Sequence, residues 1–526
     1  MIKYKDNQMT FFNPTFVCSH LIPEDNYFHR FRKAIAPLVK EEDYACMYSE
    51  GVGRPAISPT IMNLALILQS HLNLSDREME ERARYDIRVK YALCLDLDDQ
   101  GFDHSSLCKH RERLLENGKE KELFEKHRNF LVEKELIKKH EPQRMDASHV
   151  IANIAIPSLI GLMKQGIRGV LKALDFELFT EVVKELKLEG YLTKEEVNEY
   201  HLTKDEKKRV LMEVVIDARA LLTMIADEKL NSSLEEKVKL LEKILNENIT
   251  GKNKIREIPR EDKPKDRTVS TIDPDARHGA KSNDEKFTGY KFHVSESTEN
   301  SFITNIIATP GNVTDDKPAQ ELITEQKKDD IKPSHIPADS AYGTGKNIRE
   351  FKKEEITLVT PPKDKANKNG LYTIDKFSYN EEKKEVTCPN NVITSKATIN
   401  KVQDSMVLHF PKEECDRCPL RKECTTNPNG RTVTISPYYK ELAWQKEYSK
   451  TDEYKKHIKT RSPIEPKNAE LKRYHGLTRT RYRGLAKVNL QCIFAALAVN
   501  IKRFICVTQK LALLDRISVV PVFNTS

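Results

Sequence analysis

Residues 461–472 read RSPIEPKNAELK and place three charged side chains at helical spacing. Arg461 precedes Glu465 by four residues, and Lys472 follows that glutamate by seven. In an α-helix these offsets bring the three groups near one face. A carboxylate supplies oxygen to a hard cation, and basic groups beside it can hold a phosphodiester. The spacing therefore predicts a helix that carries one member of an acidic, metal-binding site.

One glutamate does not hold two metal ions, so further carboxylates are expected on strand-like segments upstream. Asp146 in QRMDASHVIANIAI and Asp339 in HIPADSAYGTG meet this expectation. Glu470 is a rival for the third carboxylate, but it lies two residues before Lys472, whereas Glu465 fits E-x6-K. Each carboxylate alone also fits an ordinary role, such as a turn cap.

Asp, Asp and Glu in this order, with the last in an R-x3-E-x6-K motif, resemble the DDE transposases of bacterial insertion sequences. Related enzymes often carry a tyrosine three positions before the arginine, where this chain has Ile458. The resemblance implies an α/β ribonuclease H-like catalytic domain with the first aspartate on its central strand. Further motifs that carry the resemblance are GYKFH at 289–293, TPGNVTDD at 309–316, ADSAYG at 338–343 and HGL…RGLAKVNLQ…NIKRF at 475–504.

The resemblance also implies the chemistry. Two Mg²⁺ (or Mn²⁺) ions would be held by Asp146, Asp339 and Glu465, with Arg461 and Lys472 on phosphates beside the scissile bond. The enzyme would cut the terminal inverted repeats and join them to target DNA, acting as a homodimer in the synaptic complex. Two alternatives stay open: a non-catalytic DNA-binding protein derived from a transposase, and a nuclease that cuts without joining.

Residues 1–140 are expected to form an all-helical domain. Ser58-Pro59 predicts one helix start, and Ser75 with Glu78 predicts a capping box. A later helix, beginning near Ser105, carries three basic residues. Short helices with a basic late member fit a helix-turn-helix DNA reader, and a helical brace for the catalytic domain fits equally well. The three candidate DNA-binding residues are Lys109, Arg111 and Arg113.

Residues 141–526 are expected to form the catalytic domain, with a helical insertion at 157–262 and a cysteine-containing insertion at 365–450. Four cysteines in one polar segment, spaced C-x26-C-x2-C-x5-C, fit a tetrahedral structural Zn²⁺ site. An iron–sulfur cluster or four unrelated thiols fit the same pattern. The cysteines are Cys388, Cys415, Cys418 and Cys424.

Basic residues are dense after Glu465. If this segment is a helix face that grips DNA, its side chains contact phosphates; otherwise it is a solvated surface. The candidates beyond Lys472 are Arg473, Arg479, Arg481 and Arg483.

The net charge of +8 and a pI near 8.7 are compatible with a nucleic-acid partner but do not require one. The N-terminal sequence MIKYKDNQMTFF has no apolar signal core, and no apolar run approaches the length of a membrane span. We therefore expect a cytoplasmic bacterial protein that associates with the nucleoid when bound to DNA.

Overall fold

The computed structural model describes residues 11–18, 20–48, 56–193, 201–228, 231–251, 255–282, 284–363, 370–401 and 404–518, with side chains as far as 511. The expected start of the cysteine-containing insertion at 365 lies outside these ranges. The described chain begins with helices, continues as a mixed α/β domain with two insertions, and ends with four helices.

Seven helices precede the first strand. The predicted capping box is confirmed, because the Ser75 amide donates to the Glu78 carboxylate (2.7 Å) and the Glu78 amide donates to the Ser75 hydroxyl (3.3 Å). The helices are α1 (Pro14–Val17), α2 (Tyr27–Ile35), α3 (Pro59–Leu72), α4 (Asp76–Tyr85), α5 (Ile87–Ala92), α6 (His104–Glu116) and α7 (Glu122–Glu133).

In the described chain, the sheet that carries Asp146 has four strands, and a separate pair of parallel strands lies beside it. In chain order the strands are β1 (Gln143–Ile151), the short pair β2 (Ile249–Thr250) and β3 (Arg256–Glu257), then β4 (Arg277–Ala280), β5 (Lys286–Ser297), β6 (Ile303–Pro310), β7 (His335–Pro337) and β8 (Thr357–Val359). One edge of β5 pairs antiparallel with β1 and the other with β4 and β6. β7 and β8 are parallel to each other, and β7 packs beside β1 without ladder pairing between these two strands. β1 is therefore an edge strand of the four-stranded sheet, and not the central strand that the resemblance implied.

Four helices separate β1 from the next strands of the sheet. Apolar side chains recur at helical spacing along these helices and form a buried core that is separate from the core of the sheet. Met163, Ile167, Val215 and Leu241 are fully buried in it. The helices are α8 (Leu159–Leu171), α9 (Phe176–Leu186), α10 (Lys204–Met224) and α11 (Ser232–Asn248).

A small region of short strands follows the sheet. Six buried apolar side chains form its core: Phe377, Val386, Leu408, Phe410, Val433 and Ile435. After α12 (Ala319–Thr324) and α13 (Gly345–Lys353), which flank the sheet, its elements are β9 (Ser378–Asn380), β10 (Glu385–Thr387), β11 (Ile393–Thr394), β12 (Ala397–Asn400), β13 (Ser405–His409), α14 (Lys412–Arg417), α15 (Arg421–Cys424) and β14 (Thr432–Ile435).

Four helices complete the chain: α16 (Tyr439–Tyr448), α17 (Asp452–Lys459), α18 (Ile464–Tyr474) and α19 (Leu485–Ser518). The last packs on β6, α2 and α3, so the N-terminal helices and the sheet share one apolar core. By length and composition alone, Leu485–Leu511 would suffice to cross a bilayer. However, 72% of its most apolar window is buried inside the fold, which accounts for its composition as a core helix.

Candidate active site

Asp146 lies in the middle of β1, opposite Val294 of β5. Its carboxylate is half-buried, and Oδ2 accepts a hydrogen bond of 2.9 Å from Nδ2 of Asn468 on α18. The first predicted carboxylate therefore lies on β1 and faces the helix that carries Glu465. We call Asp146, Asp339 and Glu465 together the acidic centre.

The pKa of Asp146 is sensitive to two other aspartates. Burial raises the pKa of Asp146 to about 6. The amide of Ala147 and the charge of Arg461 lower this pKa, whereas the negative charges of Asp339 and Asp315 raise it further. A buried carboxylate whose pKa is raised by other negative charges lies where a bound cation is favoured.

Asp339 follows β7 directly and is exposed. Its Oδ1 accepts a hydrogen bond of 2.5 Å from the Ser340 amide, which starts the short 3₁₀ helix Ser340–Tyr342. It therefore has the ordinary capping role and also lies at the end of the strand beside β1. Only Oδ1 of Asp339 accepts the capping hydrogen bond, and Oδ2 takes no part in it.

Glu465 lies in the first turn of α18, and its side chain is 66% exposed. The helix begins at Ile464, so Pro466 falls where its missing amide proton has no helical partner. Arg461 lies in the turn before the helix, with Nη1 3.8 Å from Glu465 Oε1, and not on the helix face expected from its spacing. Lys472 does lie on α18.

One face of α18 packs on β1. Asn468 bonds Asp146, and Lys472 Nζ lies 3.4 Å from Ser148 Oγ and 3.3 Å from His149 Nε2. Glu465 is three residues before Asn468 and so belongs to the same face, one turn nearer the helix start.

Glu470, the rival third carboxylate, is occupied elsewhere. Its Oε1 lies 2.8 Å from Nζ of Lys502 on α19, and its Oε2 lies 3.5 Å from Nζ of Lys467. Burial raises the pKa of Glu470, but the Lys502 hydrogen bond and the nearby positive charges lower it overall. These contacts support Glu465 as the carboxylate available to a cation.

A buried ion-pair network positions α18, and its partners come from distant parts of the chain. Arg144 Nε lies 2.7 Å from Glu296 Oε2, and Lys467 Nζ lies 3.7 Å from Glu296 Oε1. Arg144 Nη1 also donates to the carbonyl oxygen of Thr460 (3.1 Å), immediately before Arg461. A charged residue within a strand that is otherwise buried needs such a partner, and that was the available signal.

The donors around Asp146 fit a hard divalent cation. They are carboxylate oxygens together with two buried polar atoms that lack a hydrogen-bond partner among the described residues, the Asn468 amide oxygen and the Tyr342 hydroxyl. Oxygen donors of this kind suit Mg²⁺ or Mn²⁺. In the described chain, Asp146, Asp339 and Glu465 are not gathered within 4.8 Å of one another, whereas Glu80, Asp103 and His104 are.

Two family models match the chain. The one described as "Transposase domain (DUF772)" matches residues 16–113, and the one described as "Transposase DDE domain" matches residues 387–505. The resemblance to DDE-type transposases of insertion sequences is confirmed. The comparisons with curated proteins and with solved structures each found no match. The second family match includes Glu465 but neither aspartate, so the transposase assignment of Asp146 and Asp339 depends on their motifs and geometry.

The transposase DDE match also spans the four cysteines, which line one cavity of about 30 Å³. We call this the thiol cavity. Burial raises the pKa of Cys424; the positive charge of Arg431 lowers it, and the thiols of Cys415, Cys388 and Cys418 raise it. The Arg431 amide lies 3.4 Å from Cys415 Sγ. No three of these described sulfur atoms lie within 4.8 Å of one another.

The expected basic helix face after Glu465 is not formed, because of the candidates beyond Lys472 only Arg473 lies on α18, whereas Arg479, Arg481 and Arg483 lie in the non-helical segment between α18 and α19. These basic residues fall into two groups by exposure. Arg473, Arg479 and Arg483 are exposed. Arg481 is half-buried, and its Nη2 donates to Asn73 Oδ1 at 2.6 Å. The exposed arginines are therefore available to a polyanion, whereas Arg481 links the segment to the N-terminal helices.

Pairing with β1 fixes the position of the segment that carries Arg479. The Ile151 amide donates to the Thr478 carbonyl (3.1 Å), and the Thr480 amide donates to the Ile151 carbonyl (2.8 Å). Arg479 thus lies beside the end of the strand that carries Asp146.

The three candidate DNA-binding residues of α6 differ in the same way. Lys109 is exposed. Arg111 is 4% exposed, lies 2.5 Å from Asp76 Oδ2 and stacks over the ring of Tyr482 at 4.4 Å. Arg113 is half-buried and lies over the Tyr48 ring. Arg111 is therefore placed as an internal link between α4, α6 and the C-terminal segment.

Proposed function

We propose that this transposase cuts the ends of its insertion sequence and joins them to target DNA by metal-dependent phosphodiester hydrolysis and strand transfer. The observation that carries the proposal is the packing of α18 across β1, with Asn468 bonded to Asp146. This packing supports the proposal because it brings the helix of Glu465 against the strand of Asp146, and Asp339 follows a strand that packs beside β1.

Asp146, Asp339 and Glu465 would hold two Mg²⁺ or Mn²⁺ ions. Bound there, divalent cations would activate the attacking oxygen and stabilise charge on the phosphate and leaving oxygen. Asn468 orients Asp146 through its amide, and burial, with a smaller contribution from the negative charges of Asp339 and Asp315, raises the pKa of Asp146.

The DNA backbone would lie along the exposed basic side chains around the acidic centre. Arg461 lies before α18, and Lys472 lies on the face that contacts β1. Arginine suits paired contacts to phosphate oxygens, and lysine supplies a point charge. Three exposed arginines after Lys472 complete this candidate phosphate-binding surface: Arg473, Arg479 and Arg483. Lys109 on α6 would add one more contact.

Two further features belong to the proposal. The thiol cavity would hold one structural Zn²⁺, since four thiolates are its preferred tetrahedral set. A synaptic complex brings two DNA ends together, which favours a homodimer as the active form. The shared core of the N-terminal helices and α19 supports a bracing role for the helical domain, whether or not α6 also reads DNA.

The direct test is incubation of the purified full chain with DNA carrying the inverted repeats that flank its gene, plus an unrelated target duplex and Mg²⁺. Mapped cleavage at the repeat ends and covalent joining to the target are expected. Precut repeat ends isolate the joining step. Cleavage without joining of precut ends would make the protein a nuclease, and binding without cleavage in Mg²⁺ or Mn²⁺ would make it a non-catalytic DNA-binding protein.

A further inference from the structure

A fourth carboxylate lies next to the acidic centre, in the loop after β6. Asp315 Oδ1 is 2.8 Å from Nζ of Lys291 on β5, and the two side chains are 29% and 15% exposed. Lys291 is opposite His149 of β1 in the ladder, so the pair is one strand away from the strand of Asp146. Neither residue belongs to the D-D-E set.

Asn347 fixes this loop beside the turn of Asp339. Its side chain is 4% exposed, and its Nδ2 donates both to the Asp316 carbonyl (2.9 Å) and to the Tyr342 carbonyl (3.1 Å). One buried amide thus joins the residue after Asp315 to the 3₁₀ helix that begins after Asp339. The relative position of the two carboxylates is set by the fold.

Tyr342 supplies an independent observation. Its ring is 1% exposed and packs in the core around α12 and α13, yet its hydroxyl has no hydrogen-bond partner among the described residues. Burial raises the pKa of Tyr342, and the negative charges of Asp315, Asp146 and Asp339 raise it further. A buried donor left unpaired costs about 1–3 kcal/mol, so an acceptor oxygen is expected at this point.

We propose that Asp315 is a positioning residue of the catalytic metal site, which accepts hydrogen bonds from water on the cation that Asp146 and Asp339 hold, with the Tyr342 hydroxyl bonded to the same water layer. This inference rests on the proposed function. Mg²⁺ and Mn²⁺ keep several waters when only a few carboxylates bind them, so the residues that hold these waters contribute to affinity. Lys291 is the internal counter-ion of Asp315 and competes with the cation for its charge.

The test measures Mn²⁺ binding to the full chain without DNA, from the electron paramagnetic resonance signal of free Mn²⁺. We expect Asp315→Asn to weaken binding about 10–100-fold, the usual effect of losing a partner of metal-bound groups. Asp316→Asn, one residue along the same loop, is the matched control and should bind as the wild type does. Equal affinity in Asp315→Asn and the wild type would overturn the inference.

Two further variants separate an effect of charge on Mn²⁺ binding from damage to the fold. Lys291→Gln removes the competing ammonium group and should tighten Mn²⁺ binding several-fold, opposite in sign to Asp315→Asn. Tyr342→Phe should weaken binding by a smaller factor with an unchanged melting temperature. Weaker binding in Lys291→Gln would overturn the proposed competition, and a lower melting temperature that accounts for the loss in Asp315→Asn would assign that residue a structural role.

Failure of the inference is distinguishable from failure of the proposed function. Asp146→Asn must abolish the same Mn²⁺ binding if the acidic centre is a metal site at all. If Asp146→Asn loses binding and Asp315→Asn does not, only the role of Asp315 is wrong. If neither variant changes Mn²⁺ binding, the acidic centre itself is not the metal site.

Discussion

The acidic centre draws its carboxylates from β1, the end of β7 and α18, whereas the thiol cavity is closed by cysteines between residues 388 and 424. The first is held in place by a sheet and by the buried Arg144–Glu296 pair. The second sits in a region with a core of six buried apolar side chains. A cation at the acidic centre is therefore expected to supply chemistry, and a cation in the thiol cavity is expected to supply stability.

The largest expected effect is on catalysis at the acidic centre. Asp146→Asn should lower DNA cleavage by about 10³-fold or more, as expected when a ligand of a catalytic metal is lost. Asn has the same shape as Asp and removes a half-buried negative charge, so the melting temperature should stay within about 2 °C of the wild type. Cleavage rates and thermal melts of the same preparation check both parts. Normal cleavage would show that the acidic centre is not the reacting site.

Variants of the thiol cavity should lose stability of the insertion, in contrast to Asp146→Asn, which should lose cleavage and keep its stability. Elemental analysis is expected to find about one zinc per chain, lost in the double variant Cys415→Ser/Cys418→Ser. Loss of zinc should expose the small insertion to limited proteolysis near residues 388–424, because its core is too small to be ordered alone. Cys108→Ser, an exposed cysteine of α6, is the control and should keep the metal. Zinc-free wild-type protein with a protease-resistant insertion would remove the metal from this account.

A substitution in the buried Arg144–Glu296 pair should reduce both the stability of the fold and DNA cleavage. Arg144→Met leaves Glu296 charged and buried, so the free energy of unfolding should fall by about 3–5 kcal/mol. It also removes the hydrogen bond to the Thr460 carbonyl, which should reduce cleavage even at temperatures where the variant is folded. Denaturant unfolding and cleavage assays at low temperature measure the two consequences. A stable variant with normal cleavage would show that α18 does not depend on this network.

The smallest expected effect concerns the exposed arginines. The triple variant Arg473→Gln/Arg479→Gln/Arg483→Gln should reduce the slope of log Kd against log salt by up to about 0.9 per lost phosphate contact. It should weaken specific and random DNA alike, because phosphate contacts carry no base information. Arg111→Gln is the contrasting control: it should lower stability through Asp76 and leave the salt slope unchanged. An unchanged slope in the triple variant would identify this segment as an ordinary solvated surface.

The sequence was informative where function requires a local pattern. The R-x3-E-x6-K motif identified the segment of α18, the Ser75–Glu78 capping box was found as predicted, and the strand-like segment around Asp146 forms β1. Spacing also separated Glu465 from Glu470, and the ion pair of Glu470 with Lys502 now supports that choice.

What the sequence could not give were contacts between distant residues. Glu296 pairs with Arg144 across 152 positions, and Asn347 joins the loop of Asp316 to the turn of Tyr342. Periodicity indicates which face of a helix a basic residue occupies but not what packs on that face. Arg111 and Arg481 therefore looked like DNA contacts, although Asp76 and Asn73 engage them within the fold.

The central claim is that α18 presents Glu465 to the two aspartates as the third catalytic carboxylate. The most direct measurement compares Mg²⁺-dependent cleavage of terminal-repeat DNA by Glu465→Gln and Glu470→Gln, with thermal melts of both. We expect Glu465→Gln to melt like the wild type and to have lost cleavage. Glu470→Gln should melt lower, because it leaves Lys467 and Lys502 without their partner, and should still cleave when folded. Wild-type cleavage by Glu465→Gln, with an inactive but folded Glu470→Gln, would contradict the account.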